Sequence, residues 1–481
     1  MSELQVQRIA PYHLRLPKQR SMQVEADVFA SERIPIEKQA LAQLADAASV
    51  PGVARVLATP DIHVGFGVPI GAVVAAADFV SPAAVGYDIN CGMRLLTTPW
   101  QAGQVDVEAL AREVRNVIPL GEGKTNVTLS RRSLEKVLNE GVGGLLEIIE
   151  RELGRSGFGW VLDQLDLSAE IRDLQRIERS GSLPGRSSAV PGRALERGAP
   201  QLGTLGGGNH FIEFQRVEEI FDEETAGRWG IRTGQLVVMI HSGSRGLGHE
   251  IGGHFMRLAA DYDKKHGISV PNRQLAILPM RSRLASDYMD AMNAAANYAF
   301  ANRHVMAMLI KAVIRKRHGP VGIELLYDVA HNLASTEEHD LGMVVVHRKG
   351  ATRAFPSERM KGGPFSETGQ PVLIPGSMGT SSWLLKGTRS GGLALFSTNH
   401  GAGRVMSRKQ ARGSKGRKAA VGDAEFERSM RGIFLICENR RTIKEEAPIA
   451  YKDIDEVISC VHGAGLAQPV ARMKPLAVLK G

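Results

Sequence analysis

The chain has 481 residues, of which 43% are hydrophobic and 23% are charged, and its formal net charge is +9. This composition predicts a globular protein with a large apolar core and excludes an intrinsically disordered chain. No apolar run reaches the length of a membrane span and the first residues lack a targeting pattern, so we expect a cytoplasmic protein with no membrane partner. The excess of cations suits an anionic partner.

Apolar spacing predicts both helices and strands along the chain. Helices are predicted at 36–48, 105–154 and 286–317, the last ended by Gly319 and Pro320. Short apolar runs predict strands at 68–80, 236–240, 323–327, 343–347 and 372–374. A polar stretch rich in glycine, serine and proline predicts a loop or a surface excursion at 179–200. Because no repeat or linker divides the chain, we predict one integrated α+β domain over residues 1–481, with a helical excursion at about 105–200.

Cys91 is the most informative of only three cysteines in the chain. It follows Asp88 by three residues in a glycine-flanked segment, so the pair offers a carboxylate oxygen and a thiolate sulfur to a divalent metal. Three scattered cysteines, the others being Cys437 and Cys460, indicate a reducing compartment rather than a disulfide framework. Taken alone, Cys91 is better explained as a small buried hydrophobic residue, and only the histidine segments further along the chain favour a metal ligand.

Several histidines stand at predicted strand ends or beside glycines, and together with Asp88 and Cys91 they favour a metal centre. They are His63, His210, His241, His331, His347 and His400. A single histidine at a strand end is more often packed or solvated than bound to a metal. The sequence does not indicate which of these histidines share an ion, and thiolate with imidazole would by itself suggest zinc.

Two glycine-rich segments, 206–208 and 375–380, offer backbone N–H donors that suit phosphate oxygens, although tight turns explain them nearly as well. Neither is a Walker A motif. A basic loop predicted at about 408–418 carries six cations and no acid, and it directly follows the His400 segment. These features predict a metal-dependent enzyme that acts on phosphorylated, polymeric substrates.

Eight segments, in order, resemble the RtcB family of RNA-splicing ligases from about residue 50 to the C-terminus. They are PDIHVG at 60–65, GYDINCG at 86–92, GNHFIE at 208–213, HSGSRG at 241–246, DVAHN at 328–332, PGSMGT at 375–380, HGAGRVMSR at 400–408 and KG at 480–481. The resemblance implies an RtcB-like fold with a central, mostly antiparallel sheet surrounded by helices. One departure is Ala83-Ala84, where family members commonly have two glycines.

The resemblance also implies an activity, namely GTP-dependent joining of an RNA 2′,3′-cyclic phosphate or 3′-phosphate end to a 5′-hydroxyl end. Two Mn2+ ions would be bound, one by Cys91, His241 and His331 and the other by Asp88, Cys91 and His210. His400 would be the nucleophile, forming a histidine-GMP intermediate and then an RNA-3′-pp-5′-G activated end.

Other roles follow from the same resemblance. The expected GTP contacts are Asn209, His210, Phe211, Ile212, Glu213, His331, Asn332, Ile374, Pro375, Gly376, Ser377, Ser381, His400, Gly401, Ala402, Gly403 and Lys480. Expected contacts to RNA or phosphate are Arg245, Lys349, Arg353, Arg404 and Arg408. The expected partners are RNA ends, above all tRNA halves in splicing or broken RNA in repair, and an archease-type activator, with the chain itself a monomer.

Two other functions remain open from the sequence. A metal-dependent RNA-end phosphodiesterase or phosphatase would use the same metal ligands without loading a nucleotide. A guanylyl-capping or repair enzyme would transfer GMP and stop there. A protein that only binds RNA fits poorly, because phosphate binding requires neither Cys91 nor a glycine-flanked His400.

Overall fold

The computed structural model describes residues 4–413, 418–440 and 442–481. Within these ranges the strands are β1 Gln7–Ala10, β2 His13–Leu16, β3 Ala26–Phe29, β4 Val53–His63, β5 Ile70–Ala76, β6 Phe79–Val80, β7 Gly92–Gln101, β8 Phe211–Ile220, β9 Gln235–Ser242, β10 Leu278–Pro279, β11 Glu324–Ala330, β12 Asn332–His339, β13 Gly342–Lys349, β14 Ala351–Arg353, β15 Pro371–Ile374, β16 Ser382–Gly387, β17 Ser397–Asn399, β18 Phe434–Cys437 and β19 Ala467–Lys480. The α-helices are α1 Lys38–Ala48, α2 Val107–Val117, α3 Arg131–Leu146, α4 Ile149–Arg155, α5 Gly159–Leu162, α6 Leu167–Arg172, α7 Gly192–Gly198, α8 Glu223–Arg228, α9 Arg245–His266, α10 Arg283–His318, α11 Arg408–Arg412, α12 Asp423–Ser429 and α13 Ile454–Gly463.

Two large sheets form the core. The first has seven strands in the order β1-β2-β3-β4-β5-β13-β12, and the second has eight, in the order β11-β7-β9-β8-β19-β16-β15 with β18 beside β19. Their pairings are antiparallel except β3 with β4 and β18 with β19. Helices pack around these sheets. The predicted α+β class, with a mostly antiparallel sheet core in a single domain, is therefore confirmed.

The long helix α10 packs against strands β7 and β9 of the second sheet. Its start is capped by Ser282, whose side chain accepts a hydrogen bond from the N–H of Ala285, and it ends at Gly319, whose φ of 78° few other residues adopt. Alanines fill most of its middle turns, so neighbouring elements approach closely and nearly all of residues 291–314 are buried. This close approach lets polar side chains of α10 reach the loops at one edge of the sheet.

The predicted strands and the helices at 36–48 and 286–317 occur at their expected places, with bounds that differ by a few residues. The predicted helix at 105–154 is instead three helices, α2, α3 and α4, and residues 118–130 between the first two are not helical. Two stretches predicted as loops each contain a short helix. Residues 179–200 contain α7, in which Ala194 and Leu195 are buried, so packing supplies the apolar partner that a glycine- and proline-rich composition did not predict. The basic stretch 408–418 begins with α11, where Ser407 and Gln410 form a capping box. Residues 414–417 of that stretch lie outside the described residues.

Across the described residues, we find no helix with both the length and the apolar character that crossing a membrane requires.

Candidate metal centre and nucleophile

Four adjacent strands of the second sheet bring the predicted metal ligands to one edge. Cys91 precedes β7, and Met93 of β7 pairs with His241 at the end of β9. On the other side of β7, Gly92 pairs with Ala330, the residue before His331. His210 directly precedes β8, which pairs with β9. Because antiparallel neighbours alternate in direction, strand starts and strand ends meet at this edge.

The candidate ligand atoms form one compact cluster. Cys91 Sγ lies 3.3 Å from His210 Nε2 and 3.2 Å from His241 Nε2. His241 Nε2 is 3.2 Å from His331 Nε2, and Asp88 Oδ2 is 2.8 Å from His210 Nε2. Within two groups, Cys91 with His241 and His331, and Asp88 with Cys91 and His210, the ligand atoms all lie within 4.8 Å of one another. Cys91 is common to both groups.

The electrostatics of this ligand cluster suit a bound cation. Burial raises the pKa of Cys91 and lowers the pKa values of His241 and His331, so burial alone favours their neutral forms. Burial also opposes ionisation of Asp88, but the charges of His210 and Arg245 lower its pKa to about 2. His241 Nε2 and His331 Nε2 lie 3.2 Å apart, which allows one hydrogen bond between neutral rings, and the same two lone pairs could instead bind a divalent ion. The thiol, imidazole and carboxylate donors therefore fit a divalent metal.

His400 lies beside this cluster and is held by Asp61. Its ring centroid is 5.0 Å from that of His331. Its Nδ1 is 2.6 Å from Asp61 Oδ2, and its backbone N–H donates to the same oxygen at 3.2 Å. Thr59 donates to the other oxygen of Asp61 at 2.6 Å. A carboxylate in this position keeps the proton on Nδ1, which leaves the lone pair on Nε2 of His400.

The carboxylate of Asp61 stays ionised although it is fully buried. Burial is the largest influence and would raise its pKa, but the hydrogen bonds from His400 and Thr59 help to lower the pKa below its usual value. His63, on the same strand, has the opposite balance, since burial lowers its pKa to about 4 and keeps it neutral. Asp61 therefore supplies a fixed negative charge next to His400.

A cavity of about 550 Å³ opens in front of His400. Ten of the expected GTP contacts line it: Asn209, Phe211, Pro375, Gly376, Ser377, His400, Gly401, Ala402, Gly403 and Lys480. The other expected contacts do not line it. Ile212 and Glu213 lie on β8, Ile374 lies on β15, and Ser381 precedes β16. His210 and His331 belong to the ligand cluster. Asn332, at the start of β12, forms hydrogen bonds with Asp88 and Gly350. The cavity is large enough for a small-molecule ligand and touches the ligand cluster through His241.

Glu446 holds the cations of this cavity together, although the sequence analysis did not single it out. Its carboxylate lies 3.6 Å from Lys480 Nζ, 3.3 Å from Arg404 and 3.2 Å from Arg408. Burial opposes its ionisation, but the charges of these three cations and a hydrogen bond from Tyr451 lower its pKa to about 2. Lys480 is itself buried at the end of β19, opposite Phe211 of β8. Lys480 is thus part of the cavity wall.

The remaining residues expected at RNA or phosphate have partners within the protein. Arg245 donates to Thr204 at 3.2 Å and lies 3.4 Å from Nδ1 of His210. Arg353 is buried 3.3 Å from Glu178. The ammonium group of Lys349 donates to the backbone carbonyls of residues 66, 68 and 83.

Glu213 and Asn332 have internal partners as well. Glu213 accepts a hydrogen bond from Gln215 at 2.6 Å, and burial raises its pKa. Asn332 donates to the backbone carbonyl of Asp88 at 3.0 Å and accepts from the N–H of Gly350 at 2.7 Å. Asn332 therefore ties the loop that carries Asp88 to the turn after β13.

Known proteins similar to this chain match it over nearly its whole length, and all of those named here are RNA-splicing ligases. A profile of the family described as tRNA-splicing ligase RtcB matches residues 43–481. The tRNA-splicing ligase RtcB of Archaeoglobus fulgidus is 41% identical over 499 residues, and that of Thermococcus kodakarensis is 39% identical over 507 residues, each alignment covering 99% of this chain and 99% of the relative. The RNA-splicing ligase RtcB of Mycobacterium tuberculosis is 42% identical over 457 residues, covering 91% of this chain and all of the relative. The fold, the site and these matches define the chain as an RNA ligase. It belongs to the tRNA-splicing ligase RtcB family.

Proposed function

We propose that this chain joins an RNA 2′,3′-cyclic phosphate or 3′-phosphate end to a 5′-hydroxyl end with GTP as cofactor, in tRNA splicing or RNA repair. The observation that carries the proposal is the position of His400. It stands between a nucleotide-sized cavity and the ligand cluster, with Nδ1 2.6 Å from the buried carboxylate of Asp61. A histidine that only packs in the core needs neither an ionised carboxylate on Nδ1 nor a place in the lining of a nucleotide-sized cavity.

In this proposal His400 is the nucleophile. Its Nε2 attacks the α-phosphate of GTP, an N–P bond forms, and the bond to the β-phosphate breaks to release pyrophosphate. Asp61 keeps the Nδ1 proton in place and stabilises the positive charge that grows on the ring. When two Mn2+ ions are bound by the ligand cluster, they neutralise phosphate charge and help to align the attack. The cations around Glu446 line the same cavity and would bind the phosphates.

The GMP group is then transferred from His400 to an RNA end. The terminal 3′-phosphate of one strand attacks the GMP phosphorus, which breaks the N–P bond and makes an RNA-3′-pp-5′-G end. The 5′-hydroxyl of the second strand then attacks the RNA phosphate, and GMP leaves. A 2′,3′-cyclic phosphate must first be opened by water. We expect tRNA halves as substrates and an archease-type activator as partner, with the enzyme a monomer.

We further propose that the enzyme works in the cytoplasm. All three cysteines are free thiols, and the one in the ligand cluster has to remain reduced in order to bind a metal. A reducing compartment satisfies this requirement.

Intact-protein mass tests the proposal without RNA. The wild type, incubated with Mn2+ and GTP, should gain the mass of one GMP, and the adduct should resist alkali and be lost in acid, as a phosphoramidate is. His400→Ala should gain nothing, whereas His266→Ala, at an exposed histidine of α9, should be labelled like the wild type. If the wild type opens cyclic-phosphate ends but never carries GMP, the chain is a metal-dependent phosphodiesterase and the ligase proposal is wrong.

A further inference from the structure

A second cavity, of about 520 Å³, is lined in part by Tyr87, the residue before Asp88. It shares no lining residue with the cavity at His400. Its wall combines three arginines with aromatic rings, namely Arg193, Arg257 and Arg273 with Phe66, Tyr87 and His249. We call it the arginine pocket. Neither the nucleophile nor the ligand cluster accounts for these side chains.

The aromatic rings of the arginine pocket pack together, with Tyr87 stacked on His249 and Phe66 tilted 57° from Tyr87. Tyr87 and His249 lie with their centroids 5.0 Å apart and their planes 22° from parallel. Phe66 packs against Tyr87 at 5.7 Å and is 36% exposed, which is unusual for a large apolar side chain in this protein. An exposed ring beside a ready-made stack offers a face on which a further planar group can lie.

The arginines of the pocket carry an excess of positive charge. Arg257 and Arg273 are exposed and form no ion pair with any residue that the structure describes. Arg193 approaches Glu250 only at 3.5 Å, and Glu250 is already held at 2.6 Å by Arg197. One carboxylate therefore faces several guanidinium groups. Guanidinium groups in this setting favour phosphate oxygens.

The loops on either side of the pocket are fixed to the catalytic region. Lys349 donates to the backbone carbonyl of Phe66 and, at 3.0 Å, to that of Ala83. Gly252 of α9 lies against Gly86 and Tyr87, where an added Cβ would come within 3.0 to 3.2 Å of their backbone. Tyr87 is the residue next to Asp88, whose side chain is 34% exposed, whereas Cys91, His241 and His331 are 1–2% exposed. Asp88 is therefore the most exposed of the ligand side chains, and the residue before it, Tyr87, lines the arginine pocket.

We propose that the arginine pocket binds a nucleotide of the RNA substrate a short distance from its reacting end, with the base on Phe66 and Tyr87 and the phosphates on Arg257 and Arg273. This inference rests on the proposed function, since it assigns a subsite to the same RNA. Single-stranded RNA offers both groups that the pocket can recognise, a planar base and a charged backbone. An acidic protein surface would use the arginines but has no need for the exposed ring.

Binding of two short fluorescent RNAs tests the assignment, one ending in a 3′-phosphate and the other beginning with a 5′-hydroxyl. Anisotropy is measured with the full chain and Mn2+ across a salt series. Removing a stacking ring by Phe66→Ala should weaken binding of one of the RNAs about ten-fold. The double variant Arg257→Gln, Arg273→Gln should show a weaker dependence of RNA binding on salt. The slope of the logarithm of the binding constant against the logarithm of the salt concentration should fall by about 1.4, or about 0.7 for each lost phosphate contact on a single strand. Arg172→Gln, at an arginine on α6 that is 69% exposed and outside the pocket, is the matched control and should bind like the wild type.

An abasic nucleotide gives a second readout. If the base stacks on Phe66, an abasic nucleotide at the position that reaches the pocket should weaken binding to the wild type but cause no further loss in Phe66→Ala. The RNA whose binding is weakened shows which of the two RNA ends lies at the arginine pocket. Thermal melting of each variant checks that it is folded.

The outcomes separate this inference from the function on which it rests. If the wild type forms the GMP adduct and binds both RNAs, but the pocket variants bind them as Arg172→Gln does, the pocket assignment is overturned and the ligase proposal stands. If the wild type neither forms the adduct nor binds these RNAs, the proposed function itself fails.

Discussion

Asp61 and His400 are 339 positions apart in the chain, yet the carboxylate of Asp61 lies 2.6 Å from Nδ1 of His400. Asp61 belongs to β4 of the first sheet, and His400 follows β17, which pairs with β14. Gly403 makes the approach possible, because its φ is 77° and an added Cβ would come within 2.3 Å of the backbone oxygen of Asp61. The orientation of His400 is therefore determined by the fold and not by its neighbours in sequence.

Asp61→Asn should slow formation of the GMP adduct about 100- to 10,000-fold while leaving the protein folded. An amide in place of the carboxylate can donate to Nδ1, which moves the ring proton to Nε2 and removes the nucleophilic lone pair. The rate is measured by intact-protein mass over time. Thr59→Val is the control, because it removes one hydrogen bond to Asp61 but keeps the charge, so its effect should stay below about ten-fold. Equal rates for wild type and Asp61→Asn would show that the carboxylate does not orient His400.

Cys91→Ala should reduce the bound Mn2+ more than the loss of any other single ligand, because Cys91 belongs to both groups of ligand atoms. His331→Ala removes a member of only one group, so the group of Asp88, Cys91 and His210 should still bind an ion. Metal content after gel filtration is measured by elemental analysis. A Cys91→Ala protein that keeps as much Mn2+ as His331→Ala would contradict the shared position of the thiol.

Much of this site could be predicted from the sequence, because its residue types are distinctive. Among the described residues, Cys91, Asp88 and three of the histidines at predicted strand ends meet within one cluster. His347, which has the same local pattern, does not join them, since its two ring nitrogens bond to the backbone of residues 74 and 81. The local pattern does not separate these cases, because the cluster depends on the strand order β11-β7-β9-β8.

Other parts of the fold had no usable local pattern. The strand β19 contains Pro469 and Pro475, which argue against a strand, and both lie at irregularities in the pairing register where a missing N–H is tolerated. Glu446 lies in a stretch that resembles an ordinary charged surface, and only the tertiary structure gathers Arg404, Arg408 and Lys480 around it. Long-range packing determines both the strand β19 and the position of Glu446, and the local sequence pattern does not predict such packing.

Acid should destabilise the protein partly through His347. Burial lowers the pKa of this histidine to about 4 in the folded state, against about 6.5 in the unfolded chain. Between these values the unfolded state binds a proton that the folded state does not, so the free energy of unfolding falls as the pH decreases through this window. The loss attributable to His347 between pH 7 and pH 5 should be about 2 kcal/mol.

Urea unfolding of wild type and His347→Gln at these two pH values measures this contribution. The variant is expected to be less stable at pH 7, because it loses well-fitted backbone hydrogen bonds, but its stability should fall less on acidification. The remaining buried histidines are common to both proteins and cancel in the comparison. An equal decrease in the two proteins would mean that His347 is protonated equally in both states.

Arg303 and Arg94 provide a matched pair for testing how the ligand cluster is positioned. Both guanidinium groups are buried and both bind Asp328, at 2.7 Å each. Arg303 also donates to the backbone carbonyls of Asn90 and Ser242, at 2.8 and 2.9 Å, and these residues adjoin Cys91 and His241. Arg94 instead lies 2.9 Å from His304, away from the ligands.

Arg303→Lys should therefore weaken Mn2+ binding about 10- to 100-fold, because a lysine cannot span the two carbonyls and Asp328 together. Arg94→Lys should lower the melting temperature, since it disturbs the same buried ion pair, but should bind Mn2+ with the affinity of the wild type. Calorimetric titration of both folded variants with Mn2+, beside thermal melting, separates the two effects. If both variants lost metal affinity in proportion to their loss of stability, Arg303 would support the fold in general and would have no separate role in positioning the ligands.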